Sequence, residues 1–284
     1  MEPEGIETHI LAQNNKPIVD FLGLSANQMH YLLYEPFGKD SPVQFRAASD
    51  DATLDKIPLF RILEEYLKII RRDKYIKLTP LGALPKKVMV ELYDKRFLLD
   101  HHIESGLTKL WKENDCISIR SMRLTAELAG LVKKTHGKLT LTKKSEKLLD
   151  TNDRSQLFRL FFQAFTDKYN WGYNDGYPDQ PVGQLGWAFS MLMLHRFGDE
   201  SRTFDFYATR YQKAFPQFVR YFDGGISTPE EKFRRCYSLR VFERFLLWFG
   251  FVEADRHKPF FKSETDTFTR TALLNGIFEI GGTM

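Results

Sequence analysis

Cysteine is scarce in this 284-residue chain: two residues, Cys116 and Cys236, far apart and with no CxxC. That excludes a disulfide framework and a zinc finger, and it fits a reducing compartment. Long apolar runs are also missing. The nearest to one is Trp187–Leu194 (WAFSMLML), far short of the ~18 residues a membrane helix needs. The opening MEPEGIETHILAQNN has acids where a signal peptide carries bases. The expectation is a cytoplasmic protein with no membrane partner. The usual catalytic signatures are absent too: no GxxxxGK[ST], GxGxxG or HExxH, and no GxSxG. The sequence therefore offers no catalytic residue, no cofactor and no metal-ligand set. Asp100-His101-His102-Ile103-Glu104 is the nearest approach to one. Adjacent histidines on a helix point about 100° apart and do not share an ion easily, so a surface segment is the plainer reading.

Aromatic residues are abundant. They make up 14% of the chain, with 25 Phe, so it is not a disordered sequence. Of the 41 Phe, Trp and Tyr, 19 fall between positions 158 and 222. Leu157, Phe158, Phe161, Phe162 and Phe165 are spaced for a helix, as are Phe206, Tyr207, Tyr211, Phe215 and Phe218. A helical middle with a ring-filled core follows. Between these helices lies a polar, Gly-rich loop, Asn170–Asp179, whose Asp175 and Asp179 stand near Trp171, Tyr173 and Tyr177. It reads as a packed connection or, alternatively, as the pocket of an enzyme without a familiar motif.

Charge is concentrated. The formal total is +4. Arg120–Lys147 alone holds eight bases against Glu127 and Glu146, so the remainder sums to −2. The same stretch has the most informative local pattern. Ile119, Met122, Ala126 and Ala129 form an apolar helical stripe, and Gly130 suits the left-handed residue after a helix. Two short strands, 131–134 and 138–142, flank a turn at Thr135-His136-Gly137. Thr142 can cap a following helix in which Leu148 and Leu149 turn inward. Helix, hairpin, helix is the sequence form of a winged helix. On that reading Arg120 and Arg123 face DNA from the helix, and Lys133, Lys134, His136, Lys138 and Lys143 contact phosphates.

The segment 69–79 (IIRRDKYIKLT) resembles 131–142 in running from a helix end through two bases to a strand ending Leu-Thr. A fainter third copy is Phe242–Phe268, with a polar turn between two strands. At the N-terminal end, residues 1–16 read as loose and polar. Ser25 with Gln28 forms a capping box after Gly23. The stretch is either a helix-turn-helix presenting Asn27, Gln28, His30 and Tyr31 or a helical hairpin packed on the core. Leu59, Ile62, Leu63, Tyr66, Leu67 and Ile70 predict an amphipathic helix over 58–71, KYIKLT a strand, and Pro85 the start of another helix. The acid pairs Glu64-Glu65 and Glu230-Glu231 are expected on solvated helix faces. The predicted fold class is mainly α with short β-hairpins: repeated winged-helix-like modules around an aromatic-rich helical middle. The predicted division is a helical hairpin and linker (1–55), two winged-helix-like modules (56–150), the aromatic region (151–230) and a third module (231–284).

The segments LTKKSEKLL (141–149), KLTPLGALPKKVMVELYD (77–94) and FTDKYNWGYNDGYPD (165–179) together resemble a family of uncharacterised bacterial proteins whose related segments sit beside plasmid-ORF-type and SEC-C-type modules. The resemblance runs from about residue 20 onward. It implies the architecture and no activity. The functional expectation is a non-enzymatic protein that binds nucleic acid or regulates through the basic 120–147 surface, with DNA as the partner. The alternatives are a scaffold for another protein and the enzyme with a pocket near 170–179.

Overall fold

The computed structural model describes residue 9 and residues 12–47, 49–173, 175–256 and 265–281. Of the chain, about 52% is helical and 11% is in strands, so the protein is mainly α with small sheets. The expected looseness of 1–16 falls largely outside the described residues, and so does most of the polar turn of the third copy.

Local chemistry sets the element boundaries. In α1 (Ala26–Tyr34) the Ser25 hydroxyl accepts the Gln28 N–H, and the Gln28 side chain accepts the Ser25 N–H in return. A one-turn helix α2 (Asp51–Leu54) is capped by Asp50. Helix α3 (Pro58–Asp73) begins with proline, whose missing N–H costs nothing in a first turn, and the predicted stripe is buried along it. Next come α4 (Lys86–Tyr93), the one-turn α5 (His101–Glu104) and α6 (Ile117–Leu128). They are followed by α7 (Lys143–Asp150), α8 (Arg154–Asp167), α9 (Trp187–Phe197) and α10 (Phe204–Ala214). Helix α11 (Pro229–Tyr237) continues as a π-helix over Ser238–Leu246, and α12 spans Ala272–Ile277.

The strands are β1 (Val43–Phe45), β2 (Ile76–Lys77), β3 (Val132–Thr135), β4 (Lys138–Leu141), β5 (Arg202–Thr203), β6 (Val252–Asp255), β7 (Thr267–Arg270) and β8 (Phe278–Ile280). Among the described residues all their pairings are antiparallel, and they build the sheets β1-β8, β2-β4-β3 and β5-β7-β6. The segment 69–79 therefore makes no module of its own: its strand β2 pairs with β4, in the sheet of the segment it resembles. Likewise β7, inside 231–284, takes its partner β5 from the aromatic stretch. Sheet β5-β7-β6 thus takes strands from both sides of position 230.

One local geometry occurs twice. Gly130 and Gly250 end their helices at φ +67° and +70°. The next residue, Leu131 or Phe251, donates back to Ala126 O (3.0 Å) or Leu246 O (2.8 Å). After the hairpin, Thr142 N–H donates to Leu131 O (3.1 Å) and Thr271 N–H to Phe251 O (2.9 Å). The Thr142 and Thr271 hydroxyls donate to Gly130 O (2.8 Å) and Gly250 O (2.7 Å) and cap α7 and α12. Strand registers agree as well, Lys133↔Thr140 beside Glu253↔Thr269 and Lys77↔Lys138 beside Thr203↔Thr267.

The core is one continuous cluster. Its centre is the α8 ring row. Phe162 meets Phe249 at 5.1 Å edge-on, Phe165 meets Phe249 at 5.0 Å, and Phe162 meets Phe278 at 5.2 Å. The predicted ring-filled middle is present, and α8 also covers one side of α6.

Candidate nucleic-acid interface

Helix α6 is the element that a DNA-reading winged helix would place in the major groove, and here its sides are occupied. It packs against α3, α4, α8 and β3. Ser118, Ile119, Ser121, Met122, Thr125 and Ala126 are buried. Arg123, expected to face DNA, is only 6% exposed. Its Nε donates to Glu113 Oε1 at 2.5 Å and its Nη2 to Glu113 Oε2 at 3.1 Å, and Nη1 is held by Glu127. Glu113, itself buried, also accepts the Leu84 N–H at 3.2 Å. Burial works against the Arg123 charge, but the Glu113 and Glu127 carboxylates outweigh it and hold its pKa above the ordinary arginine value. Arg123 is thus a clasp between α6 and the 113–115 turn. A sequence window on α6 shows Glu127 but not Glu113, which lies outside the helix.

Arg120 is half-buried. Its guanidinium sits 4.5 Å above the Tyr173 ring centroid and donates to the Tyr173 hydroxyl. Past these residues α6 offers solvent little except Leu124, Glu127 and Leu128, and none of these is a base-reading residue of the Arg, Asn or Gln kind.

The hairpin is different. His136 and Gly137 form its two-residue turn with φ +49° and +69°, the left-handed pair of a type I′ turn. Lys133, Lys134, His136, Lys138 and Lys143 are all exposed. Alternation along β3 and β4 puts Lys133, Thr135, Lys138 and Thr140 on the outer face. The register Lys77↔Lys138 adds Lys77 to that face. No acid occurs in β2, β3 or β4. Among the described residues, none of Lys77, Lys133, Lys134 and Lys138 has an ion-pair partner. Lys77 is not among the contacts expected from the sequence. Its signal is the alternation in KYIKLT, which becomes readable only once this strand is known to join the hairpin. The equivalent face of the other sheet carries Glu253 and Asp255 in place of Lys133 and Thr135, so the recurring geometry does not recur in charge.

In the 170–179 loop, where Asn174 lies outside the described residues, Arg240 of the π-helix enters on one side, and Asn170 and Asp179 line a cavity of about 670 Å³ with Tyr34, Asp167 and Gln184 on another. The guanidinium is fully buried. It pairs with Asp175 at 2.6 Å, donates to Pro178 O at 3.0 Å and is bonded to Gln180 O. Gly172 passes so close that a Cβ there would stand 2.8 Å from Arg240 Nη2. Asp179 accepts from Asn170 at 2.9 Å. Arg240 organises the middle of this loop. Glu64 is buried instead of solvated, because Arg154 of α8 grips it at 2.7 and 3.0 Å. Gln28 is spent on the α1 cap and Asn27 donates to Asn15 at 2.9 Å. The helix before α1 is one turn of 3₁₀, Val19–Phe21. Among the described residues no group of three or more His, Cys, Asp and Glu could hold a metal ion, and no helix is long and apolar enough to cross a membrane. No family model, curated protein or solved structure matches the chain.

Proposed function

We propose that this is a non-enzymatic protein that binds nucleic acid through the outer face of the β2-β4-β3 sheet. The observation that carries the reading is the unpaired lysine face, Lys77, Lys133 and Lys138, with Lys134, His136 and Lys143 at its edges. Lysines without carboxylate partners are positioned for phosphates, and each phosphate they neutralise releases counterions. The order α3-β2-α4-α6-β3-β4, with the one-turn α5 between α4 and α6 and with β4 central, resembles that of a winged helix, and α9-β5-α10-β6-β7, with α11 and the π-helix between α10 and β6 and with β7 central, is similar. On this reading the chain holds two such units, of which the first is basic. The contact is made by the wing and not by α6, so it follows the backbone and reads little sequence. A second reading, a scaffold for another protein, is favoured by the burial of α6 beneath α8. A cytoplasmic location and kinship with the bacterial family remain parts of the proposal.

The test is anisotropy of a labelled oligonucleotide, as duplex and as single strand, titrated at two salt concentrations. Wild type is compared with the Lys133→Ala/Lys134→Ala/Lys138→Ala triple variant. The expected result is salt-sensitive binding, with the duplex slope of log K against log salt shallower in the variant by about 0.9 for each phosphate that is no longer neutralised. Absence of binding at low salt, or an unchanged slope in the variant, refutes the interface.

A further inference from the structure

Resting on the lysine face described above, we infer that its ligand is a single-stranded nucleic acid whose unpaired bases stack on Tyr75 and Trp111. Among the described residues four Phe, Trp or Tyr rings are exposed, Tyr34, Tyr75, Trp111 and Tyr173, and two of them belong to the first unit beside lysines. Tyr75 is 42% exposed and Trp111 62% exposed. Each stands beneath a lysine: Lys138 Nζ is 4.2 Å from the Tyr75 ring centroid, and Lys86 Nζ is 3.7 Å from that of Trp111. The other three tryptophans, Trp171, Trp187 and Trp248, are buried.

The two lysine–ring pairs both belong to the first unit, one at the lysine face and one at the start of α4. Tyr75 immediately precedes β2, and Lys138 opens β4 beside it. Lys134, in β3, reaches the 79–83 loop, where its Nζ lies 3.0 Å from the place a Cβ on Gly82 would take. That loop leads into α4, whose first residue is Lys86. Tyr75/Lys138 thus lies on the outer face, whereas Lys134 leaves the inner face toward Gly82, and four residues on from Gly82 Lys86 meets Trp111; the path between the two pairs runs round the hairpin end, where the Leu78 N–H donates to Gly137 O at 2.8 Å.

Alternating cations and exposed rings are what a single strand needs and a duplex does not use. Bases within a duplex are stacked on each other and show only their edges, whereas a single strand presents their faces. The helix that would read those edges, α6, is covered on most sides, and its Arg123 is consumed by Glu113. An ammonium over an exposed ring is weakly held. An arriving base takes the ring face, and the displaced lysine takes the phosphate of the same strand.

Trp111 supplies a direct readout. It is the exposed tryptophan, so stacking quenches its fluorescence while the three core rings stay constant. The full chain is titrated with (dT)20, with (rU)20 and with a duplex of equal length, for wild type, Trp111→Ala, Tyr75→Ala and Trp111→Phe. The expected result is quenching by the single strands, with affinity falling about 5- to 150-fold in each alanine variant and largely restored in Trp111→Phe; anisotropy of labelled strands reads the two variants that lack Trp111. Preference for (rU)20 over (dT)20 identifies RNA as the source of the ligand, and the reverse identifies DNA. Equal binding of duplex and single strands, unaffected by either alanine variant but abolished by the triple lysine variant, overturns stacking and leaves the lysine interface standing. No binding of any oligonucleotide overturns both.

Discussion

Two basic residues of the same predicted surface have opposite fates, and the difference lies in what surrounds them. Arg123 is buried between Glu113 and Glu127, whereas Lys133, ten residues on, is exposed and unpaired. Removing one member of a buried ion pair leaves the other charge desolvated, so Arg123→Ala should cost about 3–5 kcal/mol. Lys133→Ala should stay within about 0.5 kcal/mol. Urea unfolding of the two variants checks this. If Arg123→Ala were as stable as wild type and bound nucleic acid more weakly instead, Arg123 would be a contact residue after all. Arg240 follows the same rule as Arg123: its partner Asp175 is 65 positions away in sequence, and nothing local in the π-helix announces it.

At the scale of elements, the recurring helix-end glycines allow a comparison within one molecule. Both Gly130 and Gly250 have a left-handed φ, so alanine at either is strained by about 1–2 kcal/mol. Space separates them. A Cβ at Gly130 would meet nothing within 4 Å, whereas at Gly250 it would stand 3.0 Å from the Lys56 carbonyl oxygen and 3.1 Å from Leu273 Cδ2. Gly250→Ala should therefore lower the unfolding midpoint more than Gly130→Ala, by urea or heat, and equal decreases would show that the backbone near Lys56 yields freely. The elements legible in the sequence are those whose cause is local: the α3 stripe, the Ser25 and Thr142 caps, Gly130, and the His136-Gly137 turn. Pairing at a distance is not legible there. β2 joins β4 across about sixty residues, and β5 joins β7 inside a different predicted division. A two-residue strand has too little pattern to name its partner. For the same reason the lysine face is legible only in part: the hairpin lysines stand out in the sequence, and Lys77 does not.

For the molecule as a whole, carboxylates tie separate parts together. Asp55 is held below its ordinary pKa first by the hydrogen bond from Arg154 of α8, and Glu91 of α4 first by that from Arg72 of α3. A depressed folded-state pKa contributes stability that is present above the unfolded value, about 4, and is lost as pH falls through the folded value. Asp167, raised by burial, acts in the opposite sense. The melting temperature should hold between about pH 5 and 7 and fall below about pH 4. A melting temperature that rises on acidification would show that raised groups outweigh the depressed ones.

The pairing of β1 with β8 also constrains when the fold can be completed. Val43, Gln44 and Phe45 meet Ile280, Glu279 and Phe278, and Arg46 reaches Glu279 at 3.0 Å. A ribosome adding roughly 5–20 residues per second needs roughly 10–50 s to travel from one strand to the other. Throughout that interval β1 is an unmatched edge, and Phe45 lacks the Phe278 ring that later lies 4.8 Å away. The nascent chain therefore carries β1 without its partner until β8 has been made.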